Sequence, residues 1–307
     1  MSITPGGCGA SAIIFQAPVN EGRMRFLSKL AASVFMTLMA LPAFADLPQH
    51  VPQDKAFGFQ PAATEVARQI QIFHNLWLMP IITAIVVVVT LLMLYIFIRF
   101  NRKANPEPMR FSHNSLVEVA WTIIPILILL IIAVPSFRLL YLEDVIPEAD
   151  LTVKAIGSQW YWDYEYTDPA GDPDKTLSYS SIMLEADEAK AAGKPRLLGV
   201  DNPMVVPAGK VVRVIVTATD VLHSFAMPAF GVKIDAVPGR LNETWFKVDE
   251  PGIYYGQCSE LCGKRHAYMP IEIHVLPQAD YDAWFVKTQA EYAASYAPKR
   301  AQLASAN

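Results

Sequence analysis

The sequence predicts a two-helix transmembrane hairpin followed by an all-β domain, with a leader in front. Three observations carry that reading. Residues 69–98 and 119–137 contain no Asp, Glu, Lys or Arg. Beyond Arg138 the apolar runs become short, β-branched and punctuated by Gly and Pro. The chain as a whole is 53% hydrophobic and 18% charged, with mean hydropathy +0.27, whereas soluble domains carry about 25% charged residues. This composition excludes intrinsic disorder, and three cysteines are too few for a disulfide-stapled scaffold. The net charge of −4 offers no basic excess to neutralise phosphates, so no nucleic-acid partner is expected.

The leader opens at Met24. Arg25 and Lys29 form a positive n-region, Leu30 to Leu41 is apolar, and Ala43-Phe44-Ala45 is a small-residue cleavage pattern that makes Asp46 the mature N-terminus. The alternative is an uncleaved anchor, but this apolar run is too short for about 30 Å of hydrocarbon. Residues 1–23 read as an upstream extension, so 1–45 form the leader and signal. Losing them removes Cys8 and leaves Cys258 and Cys262. Residues 46–68 are then a short segment on the outer side.

The hairpin occupies residues 69–141, with spans at about 72–98 and 116–138, each near the ~20 apolar residues that crossing requires. Its connector carries Arg99, Arg102, Lys103 and Arg110 against Glu107. Positive loops stay in the cytoplasm, so both termini face outward, as the leader also implies. Trp77 and Trp121 lie near span ends, where amphipathic rings prefer the interface.

Residues 142–277 form the β domain. Leu151–Ile156, Leu198–Val206, Val211–Ala218, Thr244–Val248, Ile253–Gln257 and Ile271–Leu276 are the expected strands, a pattern that reads as a sandwich or barrel. Asp187 to Lys194 is an Ala- and charge-rich insertion, a surface loop or short helix. Residues 278–307 give a terminal helix and tail. From Leu142 to Asn307 there are 15 Lys and Arg against 23 Asp and Glu, a local net of −8. Such a surface steers a basic partner from a distance.

The chemistry concentrates at His223 and at the run Cys258-Ser259-Glu260-Leu261-Cys262-Gly263-Lys264-Arg265-His266-Ala267-Tyr268-Met269. Thiolate, imidazole and thioether are ligands that suit copper. One Cys, two His and one Met would make a mononuclear site. The second Cys, four residues after the first, allows two thiolates to bridge two ions. His223 and His266 would then be the outer ligands, Met269 a weak axial sulfur, and the Glu260 carbonyl a donor to the other ion. Two alternatives stand beside this one. Cys258 and Cys262 could pair as a disulfide outside the cell, or the set could bind zinc as Cys₂His₂. Neither gives Met269 a role.

Tyr254 to Gly263 with His266, Met269 and Pro270, together with Asp220-Val221-Leu222-His223-Ser224-Phe225 and Pro238-Gly239-Arg240-Leu241-Asn242, resembles cytochrome c oxidase subunit II around its copper A loop. The resemblance runs from about Asp46 to Trp284. It implies a cupredoxin-like Greek-key β-barrel after the hairpin, two copper ions in a binuclear copper A centre, and an aa3-type haem–copper oxidase of the bacterial inner membrane with this domain on the periplasmic side. It implies that electrons from a basic cytochrome c pass to the catalytic subunit I, which carries the haems and copper B, with subunit III as a further partner. A quinol-oxidase subunit would share the fold but lack the copper ligands. A tethered copper carrier would need no electron-accepting aromatic.

By the same resemblance, Trp160 in Gln159-Trp160-Tyr161-Trp162 matches the residue through which electrons arrive. Glu118 matches the carboxylate at the mouth of a proton pathway, and the Glu260 side chain reaches a magnesium ion shared with subunit I, hard oxygen suiting that ion. Strand alternation would put Trp160 and Trp162 on one face and Tyr161 on the other. Asp163, Glu165, Asp172, Asp174 and Asp201 are the acids expected to dock the donor. Arg213 and Arg240 are candidates for contact with cofactor propionates or neighbouring subunits.

Overall fold

The computed structural model describes residues 49–53, 55–107, 110–167 and 176–304, with side chains described as far as residue 292. The leader, its cleavage site at Ala43-Phe44-Ala45, Asp172 and Asp174 lie outside the described residues.

Two apolar helices come first. Helix α1 (Glu65–Arg99) and helix α2 (Ser115–Asp144) both present their apolar windows unburied, as lipid-facing helices do. At 1.5 Å per residue, α1 is about 52 Å long and α2 about 45 Å, both longer than the hydrocarbon core. The surplus emerges from the membrane, which is why both helices outrun the uncharged windows that predict them. Phe73–Leu78 of α1 is π-helical. Pro125 and Pro135 sit within α2, where neighbouring groups in a membrane protein can re-satisfy the freed carbonyls. Asn114 caps α2 by accepting from the Leu116 and Val117 amides.

The emergent start of α1 is anchored to the β domain. Thr64 accepts from the Ala67 amide at 3.0 Å and donates to the Phe230 carbonyl at 2.7 Å. A cap of this kind contributes about 1 kcal/mol. Val66 and Ala67 are buried there. The membrane hairpin therefore holds the β domain through a helix end as well as through the chain between Asp144 and Leu151.

Eleven strands are described: β1 (Gln49–His50), β2 (Leu151–Ser158), β3 (Tyr161–Thr167), β4 (Leu177–Ser181), β5 (Met204–Pro207), β6 (Val211–Ala218), β7 (His223–Met227), β8 (Val232–Ala236), β9 (Asn242–Lys247), β10 (Gly252–Gln257) and β11 (Pro270–Leu276). One sheet runs β4-β3-β2-β6-β9, a second β1-β10-β11-β5, and β7-β8 form a separate ribbon. The domain is all-β as the sequence predicts. Backbone pairing among the described residues leaves separate sheets, with their inner faces meeting in one core. Parallel pairs β2·β6, β11·β5 and β1·β10 among antiparallel ones give the crossover topology.

Strands β2, β3 and β6 alternate buried and half-buried residues, the period of two that one packed face imposes. Trp162, Tyr164, Tyr166, Phe225, Phe246 and Tyr254 are fully buried in the core. The expected strand Leu198–Val206 shrinks to β5, because Leu197 has φ of +68° and Asp201 folds back to accept from the Ile182 amide. The insertion is a helix, α3 (Ala186–Ala191), with a capping box between Glu185 and Glu188. Helix α4 (Gln278–Ala304) follows β11, laying Trp284 against the Tyr166 and Tyr179 rings and Phe285 against Tyr166, with Tyr281 packed on Trp284 and Phe285.

Candidate metal centre

Two pieces of chain build the site. His223 opens β7, and the segment Cys258–Met269 leaves β10 and returns into β11. The Ser259 amide donates to the Ser224 carbonyl at 3.1 Å, so the loop is tied to the ribbon that carries His223. Gly157 on β2 leaves room for the imidazole, since a Cβ there would lie 2.9 Å from His223 Cγ.

His223 is fully buried. Its Nε2 meets Asp220 Oδ1 at 2.9 Å, which turns Nδ1 toward Cys258 Sγ, 4.0 Å away. Asp220 also accepts from the Gln159 amide at 2.7 Å and the Val221 amide at 2.6 Å. Burial works against the Asp220 charge, but these hydrogen bonds outweigh it and hold the carboxyl below its usual range. Asp220 is the orienting group that sequence reading missed. An acid three residues before a ligand His is the signal that could have found it.

The sulfurs of Cys258 and Cys262 stand 3.9 Å apart. His266, in a short 3₁₀ turn, places Nδ1 3.6 Å from Cys262 Sγ. Met269 Sδ lies 3.5 Å from the same sulfur, and the Glu260 carbonyl lies 3.3 Å from Cys258 Sγ. Donor atoms of His223, Cys258 and Cys262 all fall within 4.8 Å of one another. All six expected ligand positions are thus brought together. The cysteines are free thiols, well beyond the ~2.05 Å of a disulfide.

Electrostatics favour a cation here. Burial raises the Cys258 thiol, but hydrogen bonds from its surroundings, His223 foremost, bring it down to about 6. Burial and then the negative charge of Cys258 push Cys262 up to about 12. Two adjacent thiolates repel each other, and positive charge held between them removes that repulsion. The donor set fits copper: soft sulfur, imidazole and a long-range thioether are its ligands, and a structural zinc site would leave Met269 unused.

Trp160 departs from its expected place. It lies in the turn between β2 and β3, not on a strand, so it shares no face with Trp162 by alternation. It is half-buried, and its Nε1 donates to the Cys262 carbonyl at 3.2 Å. Gln159 Nε2 donates to the same carbonyl at 2.7 Å. Trp162 is fully buried and donates to the Met269 carbonyl at 3.3 Å. Both tryptophans therefore touch the ligand loop from β3 and its turn.

The three expected docking acids among the described residues, Asp163, Glu165 and Asp201, each have a neighbouring partner. Glu165 pairs with Lys154 at 2.9 Å across β2·β3. Asp163 accepts from Ser180 at 2.5 Å, and burial raises its carboxyl. Asp201 accepts from the Ile182 and Asn202 amides, each at 2.7 Å. Arg213 is held in a fork by Glu243, at 3.0 and 2.5 Å. Glu118 lies in the first turn of α2, half-buried. The Glu260 side chain is half-buried on the ligand loop.

Known proteins place this architecture. The family described as cytochrome c oxidase subunit II, periplasmic domain, matches residues 151–276. The corresponding transmembrane domain matches residues 52–139. The probable cytochrome c oxidase subunit 2 of Rickettsia bellii is 47% identical over 261 residues, covering 85% of this chain and 93% of its own. Cytochrome c oxidase subunit 2 of Cereibacter sphaeroides is 47% identical over 250 residues, covering 76% of this chain and 80% of its own. The solved periplasmic domain of subunit II from Bradyrhizobium japonicum is 52% identical, covers 48% of this chain and 99% of its own, and gives a TM-score of 0.43. With two matched domains in the order membrane hairpin then β domain, the chain belongs to the cytochrome c oxidase subunit II family.

Proposed function

We propose that this chain receives electrons from a basic cytochrome c at a binuclear copper centre and delivers them to the haem-bearing subunit I of a terminal oxidase. The oxidase would lie in a bacterial inner membrane, with subunit III beside it and the β domain in the periplasm after cleavage of residues 1–45. The observation that carries this reading is the pair of sulfurs 3.9 Å apart, with His223 Nδ1 4.0 Å from Cys258 Sγ and His266 Nδ1 3.6 Å from Cys262 Sγ. When bound, copper supplies reversible one-electron chemistry at that pair.

The chain's own residues do the rest. Cys258 and Cys262 would hold both ions, His223 and His266 one each, with Met269 and the Glu260 carbonyl completing the set. Asp220 fixes the His223 ring, and the sheet packing around it limits movement between redox states. Trp160 stands one hydrogen bond from the carbonyl of a ligand residue, a short route from the half-exposed turn to the centre. Glu118 at the cytoplasmic end of α2 would present a carboxylate to a proton pathway, the role that the family resemblance implies for it. The Glu260 carboxylate would meet magnesium at the boundary with subunit I.

Stopped-flow reduction by cytochrome c across a salt series tests the route. Trp160→Gln changes no charge, so electron acceptance should fall sharply while the salt slope stays as in the wild type. Transfer at the wild-type rate would place the route elsewhere.

A further inference from the structure

The turn between β2 and β3 holds both arms of the metal centre, and Gln159 does so with two separate donors. Its backbone amide donates to Asp220 Oδ2 at 2.7 Å, while Asp220 Oδ1 meets His223 Nε2 at 2.9 Å. Its side-chain amide donates to the Cys262 carbonyl at 2.7 Å. His223 belongs to β7 and Cys262 to the ligand loop, so Gln159 is a second tie between the two pieces of chain, beside the Ser259–Ser224 bond. The turn is itself fixed in place. The Ser158 and Thr219 hydroxyls bond at 2.8 Å, and the Thr219 amide donates to the Gly157 carbonyl at 3.0 Å. Gln159 is exposed as a residue, but its carboxamide fits closely against the loop. A Cβ on Gly263 would lie 3.2 Å from Gln159 Nε2, and Gly263 has φ of +120°, a backbone conformation that favours glycine. The Cys262 carbonyl also accepts from the Trp160 indole at 3.2 Å, so one ligand residue carries two side-chain donors on its backbone.

Resting on the reading of this site as a binuclear copper centre, we propose that Gln159 is a positioning residue that holds Cys262 in register with His223 and, through its side-chain amide, raises the reduction potential of the copper pair. An N–H aimed at the Cys262 carbonyl sets the positive end of its dipole beside a ligand. Positive potential there favours the reduced state, which holds one more electron. The tie also acts unevenly on the pair. Cys262 Sγ is the sulfur that His266 Nδ1 and Met269 Sδ approach, at 3.6 and 3.5 Å. Losing the side-chain bond releases that half of the site. The other half stays held, because the Gln159 donor to Asp220 is a backbone amide and survives a change of side chain.

The test uses the full chain, purified without its partner subunits, as wild type, Gln159→Met and Gln159→Glu. Methionine keeps the length of the side chain without a donor; an ionised carboxylate has no donor either and adds negative charge. In copper-loaded chains the midpoint potential should fall in Gln159→Met and fall further in Gln159→Glu. The paramagnetic signal should change from two equivalent copper nuclei to two inequivalent ones. Copper affinity should drop about tenfold in Gln159→Met. In the copper-free chain, Cys262 should be alkylated about fivefold faster, the factor that one hydrogen bond is worth, with Cys258 at its wild-type rate. A merely structural role would lower affinity and Tm yet leave the potential and hyperfine pattern of loaded molecules unmoved, and that result overturns the proposal. Faster alkylation of both cysteines together, the mark of general loosening, overturns it too. If the wild-type chain took up no copper pair, the copper reading would fall and this inference with it. Two ions in the wild type, with the same potential in Gln159→Met, remove this inference alone.

Discussion

Glu272 on β11 is fully buried, and replacing it with alanine should be among the most damaging single changes in the β domain. Its carboxylate takes Lys194 Nζ at 3.0 Å, the Val200 amide at 2.9 Å and His274 Nε2 at 2.6 Å. The Lys194 side chain is only 18% exposed. Glu272→Ala therefore leaves a mostly buried ammonium with no counter-charge and only the Val200 carbonyl to bond, and leaves the Val200 amide without its acceptor. Removing one partner of such a pair costs about 3–5 kcal/mol, which for a domain of this size is a fall of about 10–15 °C in Tm. Burial raises the Glu272 carboxyl, but the His274 hydrogen bond, the Lys194 charge and the Val200 amide outweigh it, so its folded pKa lies below the unfolded value. A depressed carboxyl stabilises the fold above the unfolded pKa, and that contribution is lost as pH falls through the folded one. Glu272→Ala should accordingly lose stability at neutral pH and show a flatter acid limb. Thermal unfolding followed by near-UV circular dichroism, which reads the packed aromatic core, measures both. The double change Glu272→Leu with Lys194→Met should recover most of the loss, because it leaves no charge unpaired. A Tm for Glu272→Ala within 2 °C of wild type would refute the reasoning.

Cys258→Ser or Cys262→Ser should remove the copper pair as a unit, since each sulfur would serve both ions. Met269→Leu should retain copper with an altered spectrum, because a thioether binds weakly. Copper per chain distinguishes these, and two ions retained in either Cys variant would sink the bridging arrangement. Asp220→Ala frees the His223 ring from its 2.9 Å contact, and should lower metal affinity about 10–100-fold, measured by competition with a chelator. N-terminal sequencing of the purified protein should begin at or near Asp46; a start at Met1 or Met24 would overturn the leader assignment.

The membrane helices were legible because charge is expensive in hydrocarbon, so its absence from residues 69–98 and 119–137 leaves few alternatives. The ligands were legible because soft donors at that spacing have few other uses. The ribbon was not. All five residues of β7 are buried, so it shows none of the alternation that marks β2 and β6. Serine-rich β4 lacked the β-branched signal for a different reason. Alternation among its neighbours would set Trp160 beside Trp162 on a strand face, whereas residues 159 and 160 form the turn between β2 and β3. The docking acids show what sequence charge cannot report. Glu165 and Lys154 are cross-strand neighbours in register, and Lys264 reaches Trp160 only because the ligand loop folds over the β2–β3 turn.

The central claim is a binuclear copper centre held by this chain's own residues. The most direct measurement is metal content with electron paramagnetic resonance on the chain purified without its partner subunits and reconstituted with copper. The account predicts two copper ions per chain and one unpaired electron shared equally over two copper nuclei. One copper with a mononuclear signal, or zinc in its place, would contradict it.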